Sequence, residues 1–135
     1  MRQFYKFDKE RDVTLPERKT KYSAGYDFYL SETVEIPPRT IRLGKSNTAV
    51  KMEQNDVLLI FARSSLCKKG LMLMNGVGVV DADYDGEIMF TLYNADATTV
   101  VLPKGERVAQ GVFINYNTCG DVVTTVRNGG FGSTN

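Results

Sequence analysis

The feature that most constrains this chain is its punctuation. About a dozen apolar or alternating runs, most of them only three to six residues long, are separated by turn residues, and this spacing predicts an all-β sandwich or barrel. Among the expected strands are Val13 to Leu15, Ser23 to Leu30, Val57 to Phe61, Leu71 to Met74, Arg107 to Ile114 and Val122 to Val126. Pro37-Pro38 forbids helix between two of the runs, and Asn75-Gly76 and Asp85-Gly86 are strong tight-turn dipeptides. A single short helix is expected after Ala62, capped by Ser64 or Ser65 and ended by Gly70.

The chain of 135 residues is one domain, and at 42% hydrophobic residues it can build a core. A net charge of +1 argues against a nucleic-acid or membrane surface as the dominant feature. No apolar run approaches a membrane span, and MRQFYKFDKERD does not read as a signal peptide, so a cytoplasmic protein is the expectation. Cys67 and Cys119 are expected as free thiols. There is no histidine, which removes Ser-His-Asp and Cys-His catalysis and the commonest zinc ligand. Any metal should be hard and bound through oxygen, as magnesium is.

The stretch from Asn75 to Glu87 carries the densest chemistry. It reads as a β-hairpin with the following Ile88 to Tyr93, its tip carrying Asp81, Asp83, Asp85 and Glu87 on one strand face. Repulsion among such carboxylates calls for a cation or a basic partner. Asp-x-Asp-x-Asp-Gly also opens a calcium loop, but the twelfth position, which needs a bidentate Glu, is Leu92. A catalytic carboxylate and a solvated turn remain as readings of the same residues. Met72 and Met74 read as core filler. Asp27, inside a strand, needs a partner if it is buried. Arg63, Ser64 and Ser65, at the junction of a strand and a short helix, have the donors of a phosphate site. The tail from Arg127 to Asn135 reads as a linker or as an arm able to stack on a base and cradle phosphates; extended, it reaches about 30 Å.

SAGYDFYL, ARSSL, NGVGVVDADYDGE, KGERVAQGVF and RNGGFGSTN, in this order from residue 23 to the end, together resemble the trimeric dUTP pyrophosphatase (dUTPase) family. The resemblance implies a β jelly roll of residues 1–126 and an arm of residues 127–135 that closes over an active site, that of a neighbouring subunit in a homotrimer. It implies hydrolysis of dUTP to dUMP and pyrophosphate with magnesium, which keeps uracil out of DNA and supplies dUMP for dTMP synthesis. By the same resemblance Asp81 activates the attacking water, while Asp83 and Arg107 are structural. Asn75 and the backbone at Val79 and Val80 read uracil, Tyr84 lies under the deoxyribose and leaves no room for a 2′-hydroxyl, and Met89 lines the pocket.

Arg63, Ser64, Ser65 and Gln110 match the phosphate-binding positions, and Asp27 the one that holds magnesium through water. Phe131 matches the aromatic that stacks over uracil, and Arg127, Gly132, Ser133 and Thr134 the closing arm. A cytoplasmic protein is expected, in the host's cytoplasm if the chain is viral; a regulatory protein partner is compatible with the fold but has no signature in the sequence. Departures from the pattern are Ala62 for Pro, Gly111 for a larger aliphatic, Asp85 for a basic residue, and an arm one residue shorter between Arg127 and Gly-Gly-Phe. A dCTP deaminase, which shares the fold, and a non-catalytic jelly-roll interaction protein are the competing readings. The Asp81-Ala82-Asp83-Tyr84 run and the Gly-Gly-Phe-Gly arm favour dUTPase.

Overall fold

The computed structural model describes residues 1–128. Its strands are β1 (Gln3–Lys6), β2 (Tyr26–Tyr29), β3 (Val34–Ile36), β4 (Ile41–Lys45), β5 (Thr48–Lys51), β6 (Asp56–Ala62), β7 (Leu71–Leu73), β8 (Gly78–Asp81), β9 (Met89–Asn94), β10 (Val100–Leu102) and β11 (Arg107–Asn115), with one helix, α1 (Ser64–Lys68). The described residues are all-β with one short helix, as the chain's punctuation predicts.

All strand pairs are antiparallel, in a four-stranded sheet of order β2-β11-β6-β8, a three-stranded sheet β4-β9-β7, and the pairs β1-β5 and β10-β3. Strand alternation buries one side of each large sheet. Phe28 from β2, Leu58 and Ile60 from β6 and Val108 from β11 meet Phe90 and Leu92 from β9 and Leu71 and Leu73 from β7. Phe28 and Phe90 join the two sheets edge to face, with centroids 5.7 Å apart.

Several expectations do not hold. Val13 to Leu15 forms no strand; only Glu17, beyond Pro16, bridges to Asp27. Val122 to Val126 forms none either, and Val122, Val123 and Val126 are exposed, because these residues meet no sheet edge. The acidic stretch is not a hairpin: β8 pairs with β6, whereas β9 pairs with β4 and β7 in the other sheet. The four carboxylates therefore share no strand face. The strand ends at Asp81, where the Tyr84 amide donates to the Asp81 carbonyl and turns the chain. Met72 and Met74 are exposed, not core filler, because the strand alternation of β7 buries Leu71 and Leu73 instead. The helix is capped by Arg63, with no side-chain cap from a serine. Cys67 and Cys119 are free thiols, as expected.

Gly111, on β11, has a packing reason. A Cβ built there would lie 2.9 Å from Leu58 Cδ1, 2.9 Å from Phe28 Cε1 and 3.3 Å from Ile60 Cδ1. The Phe28 ring fills the volume that an aliphatic side chain at position 111 would need. Gly111→Val is expected to cost about 1–3 kcal/mol by overpacking, seen as a lower urea midpoint with an unchanged slope, and Phe28→Leu in the same chain should recover part of the loss.

One end of β6 is held by an ion pair. Asp56 is 1% exposed, and it accepts from Arg2 Nε at 2.6 Å and Nη2 at 2.9 Å, from the Glu53 amide at 3.0 Å and from Asn115 Nδ2 at 3.0 Å. The Arg2 hydrogen bond holds the Asp56 carboxyl below the usual carboxylate range, against the opposing effect of burial. A depressed folded pKa stabilises above the unfolded value, and that contribution fades as pH falls through the folded one. Arg2→Met should therefore lower Tm near neutrality, and its deficit relative to wild type should shrink as pH drops below about 4. Thermal melts of both proteins across pH check this.

Candidate active site

The acidic turn borders a cavity of about 160 Å³ lined by Asn75, Gly78, Val79, Val80, Asp81, Tyr84 and Met89, over a floor of Ile60, Leu73, Ile88 and Phe90, with Glu87 and Arg127 also at its wall. Every described residue expected to read the base and sugar is thus brought together. The floor was not anticipated, although Ile60 and Phe90 were legible as members of apolar strands.

Gly78 sits across from Ile60 in the β6–β8 register, and a Cβ on it would come within 3.0 Å of Ile60 Cβ. The glycine lets β8 settle close on β6 and leaves Val79, 63% exposed, standing at the rim. Tyr84 folds back so that its hydroxyl donates to the Glu87 carbonyl at 2.7 Å. Burial, with help from the Glu87 charge, raises its pKa, so the phenol is neutral.

Arg127 is the basic partner that the carboxylates required. Its Nη2 meets Asp81 Oδ2 at 2.5 Å and its Nε meets Asp83 Oδ1 at 2.8 Å, while its guanidinium lies 5.7 Å from the Tyr84 ring centroid. The hydrogen bond to Asp83, foremost, keeps the guanidinium pKa above its ordinary value. The two carboxylates remain more than half exposed, so solvent screens the pair and its strength is modest. Arg127 thus rests on the acid pair of its own chain. Phe131, Gly132, Ser133 and Thr134 lie outside the described residues.

The phosphate-side candidates form a second cluster. Asp27 is largely buried between two guanidiniums: Oδ1 is 3.4 Å from Arg63 Nε, and Oδ2 accepts from Arg107 Nη1 at 3.1 Å. Arg63 Nη1 also donates to the Arg107 carbonyl. Gln110 pairs with Asp27 across β2–β11 and with Phe61 across β6–β11. A Cβ on Gly25 would fall 2.5 Å from Gln110 Oε1, so the amide rests directly on a glycine backbone. Ser64 and Ser65 open α1 beside Arg63.

Among the described residues no group of three or more His, Cys, Asp or Glu side chains converges to hold a metal. Asp27 is a lone carboxylate with both oxygens turned to arginines. A single carboxylate does not make a protein cage and could meet a hydrated ion only through water.

Strand β6 measures the distance between the clusters. Val57 is level with Asp81, and Arg63 follows the far end of the strand. At about 3.3 Å per residue the two positions are roughly 20 Å apart along the strand.

The family model described as dUTPase matches residues 11–135. The deoxyuridine 5′-triphosphate nucleotidohydrolase of Lactococcus lactis is 40% identical over 93% of this chain and 91% of its own length. The crystal structure of the dUTPase from Streptococcus mutans aligns with a TM-score of 0.82 at 38% identity, covering 87% of this chain and 98% of that one. The fold alone extends to the dUTPase of Staphylococcus bacteriophage 80alpha, at 24% identity and a TM-score of 0.79, covering 99% of this chain and 98% of that one. The jelly roll that the resemblance implied is the fold of these neighbours. With the pocket, the acid turn and the arginine cluster all on residues that the motifs single out, the chain belongs to the dUTPase family.

Proposed function

We propose that this member of the dUTPase family hydrolyses dUTP to dUMP and pyrophosphate by attack of water on the α-phosphorus, with Asp81 as general base. The observation that carries the reading is that Asp81 stands at the lip of the cavity formed by Asn75, Val79, Val80, Tyr84 and Met89, where the far end of a bound base and sugar would emerge. Water supplies the new oxygen on the α-phosphorus, and Asp81 accepts its proton. The bond from the α-phosphorus to the bridging oxygen breaks, and pyrophosphate leaves with that electron pair.

A narrow cleft between the β8 backbone and Met89 discriminates by contact against thymine's methyl and by donor–acceptor mismatch against cytosine. Uracil selectivity of this kind keeps uracil out of DNA, and its product supplies dUMP for dTMP synthesis. Arg63 is the principal phosphate anchor, its fork set by Asp27 and the Arg107 carbonyl, with Ser64, Ser65 and Gln110 beside it. Asp27 is the residue that would hold magnesium through water. The ion, when bound, offsets phosphate charge.

Two features support a site shared between copies in a homotrimer. The roughly 20 Å along β6 between Asp81 and Arg63 exceeds the length of a triphosphate. The segment between β11 and the arm also leaves Val122, Val123 and Val126 exposed, as residues that pack on another copy would be. Arg127 Nη2 donates to Asp81 Oδ2, one of the two oxygens that could receive the proton. Closure of residues 127–135 over the phosphates, with Phe131 on uracil and Gly132, Ser133 and Thr134 at the phosphates, would offer Arg127 another anion to pair with and so free that oxygen. A cytoplasmic setting, where dUTP arises, suits this chemistry.

In a pyrophosphate-release assay across dUTP, dCTP, dTTP and UTP, dUTP should be the strongly preferred substrate. Asp81→Asn should lower its turnover by about 10²–10⁴-fold with binding retained. Ammonia release from dCTP, or an Asp81→Asn rate near wild type, would end the reading.

Mixing tests the sharing. Trimers reassembled from Asp81→Asn and Arg63→Ala chains should regain a sizeable fraction of wild-type activity, since some sites then combine an intact Asp81 with an intact Arg63. A mixture no more active than its parents would place each site within one chain.

A further inference from the structure

Tyr84 is held in an unusual way for a pocket side chain. Its ring lies between the cavity, which it lines, and the backbone of Gly86, which does not line it. A Cβ on Gly86 would fall 2.7 Å from the Tyr84 hydroxyl oxygen, 2.8 Å from Cζ and 3.2 Å from Cε1. The backbone of Gly86 is not in the left-handed region that would itself demand glycine. What requires a glycine here is the ring.

The platform behind the ring is anchored to the body of the protein. The Glu87 carbonyl accepts the Tyr84 hydroxyl, and Glu87 Oε2 accepts the amide of Asn47 at 2.9 Å. Asn47 is 2% exposed in a left-handed turn (φ 48°), its side-chain Oδ1 accepting from the Asp8 amide and its Nδ2 donating to the Asp8 and Arg11 carbonyls. One residue on, the Ile88 amide donates to the Thr48 carbonyl and its carbonyl accepts from Ser46 Oγ. Residues 46–48 therefore clamp residues 87–88, and the ring is pressed between that clamped backbone and the cavity.

We propose that Gly86 is a specificity-determining positioning residue, which by offering bare backbone to the Tyr84 ring sets how far the ring projects into the sugar end of the pocket, with the Glu87–Asn47 contact as the stop behind it. The proposal rests on the reading of Tyr84 as the residue under the deoxyribose. A methyl at position 86 must push the ring forward by several tenths of an ångström to reach ordinary contact. With the Gly86 backbone and the clamped residues 87–88 behind it, the ring moves toward the cavity that it lines, so the slot for the sugar narrows.

The test is a double-mutant cycle read in steady-state kinetics with dUTP and UTP. Gly86→Ala should raise KM for dUTP about tenfold or more while changing kcat much less. In a Tyr84→Leu background, where no ring is left to displace, the same substitution should change KM by less than about twofold. Glu87→Ala should raise KM in the same sense, and Glu87→Gln, which keeps an acceptor for the Asn47 amide, should leave it near wild type; this pair also decides the matter should Gly86→Ala fail to fold. An unchanged KM in Gly86→Ala, an equal change in both backgrounds, or equal effects of the two Glu87 variants would overturn the proposal. Tyr84→Leu should itself narrow the preference for dUTP over UTP. If it does not, the assignment of Tyr84 to the sugar fails, and the positioning role falls with it for that separate reason.

Discussion

Strand β6 is the constraint on which the rest of the structure depends. It is paired on both sides, with β11 from Ala62 to Asp56 and with β8 from Ile60 to Val57. Register in an antiparallel pair is an all-or-none matter, because a slip of one residue turns every side chain to the opposite face. Leu58 and Ile60 are buried, so this strand cannot slip without exposing them. Its two registers then fix where the chemistry lies. Asp81 is locked level with Val57, Gln110 level with Phe61, and Arg63 is delivered where the strand gives way to α1. The Arg2–Asp56 pair stabilises the end of β6 nearest the acid turn, far from the arginine cluster.

The residues of the cavity were more legible in the sequence than the strands. Asn75, Val79, Val80, Asp81, Tyr84 and Met89 were singled out together, and the fold gathers all six at one cavity. Their chemistry depends on residue type and order, which survive in a linear string. Strand pairing does not. The acidic stretch read as a hairpin because two apolar runs flank a turn, yet those runs serve different sheets, a choice made by β4, β6 and β7 from elsewhere in the chain. Strand β1 escaped notice because its apolar residues are set among Arg2, Gln3 and Lys6, and only pairing with β5 makes it a strand. The run Val122 to Val126 has strand composition and no sheet edge to join. β-propensity expresses fit to a pleated, half-buried surface, so a run without that surface stays irregular.

Partnership was legible only in outline. Like charges at Asp81 and Asp83 implied a cation, and a buried Asp27 implied a partner, but neither Arg127 nor the pair Arg63 and Arg107 could be assigned by spacing. Arg127 is 44 residues from Asp83, and Arg107 is 80 from Asp27. The Asp27–Arg107 contact follows from the β2–β11 register and the Arg127 contact from the path of the chain after β11, neither of which local pattern carries. The departure at Gly111 likewise became intelligible only with Phe28 in place: ring and missing side chain are two halves of one packing solution.

The glycines of the motif stretches show how binding and folding are joined here. Gly25 bears on Gln110, Gly78 on Ile60 and Gly86 on Tyr84, each so closely that a Cβ would come within 3.0 Å of its neighbour. None of the three has the positive φ found at Gly70, Gly76 and Gly105. They are therefore not turn-formers but places where bare backbone serves as a packing surface for a side chain of the cavity wall, its floor or the arginine cluster. A side chain backed by another side chain can relax when its neighbour shifts rotamer. One backed by hydrogen-bonded backbone has no such freedom, because moving it means moving a sheet or a clamped turn. Positional precision at Gln110 and Tyr84 thus comes from the absence of atoms at residues 25 and 86, and from the β6 register that keeps the surrounding backbone in place.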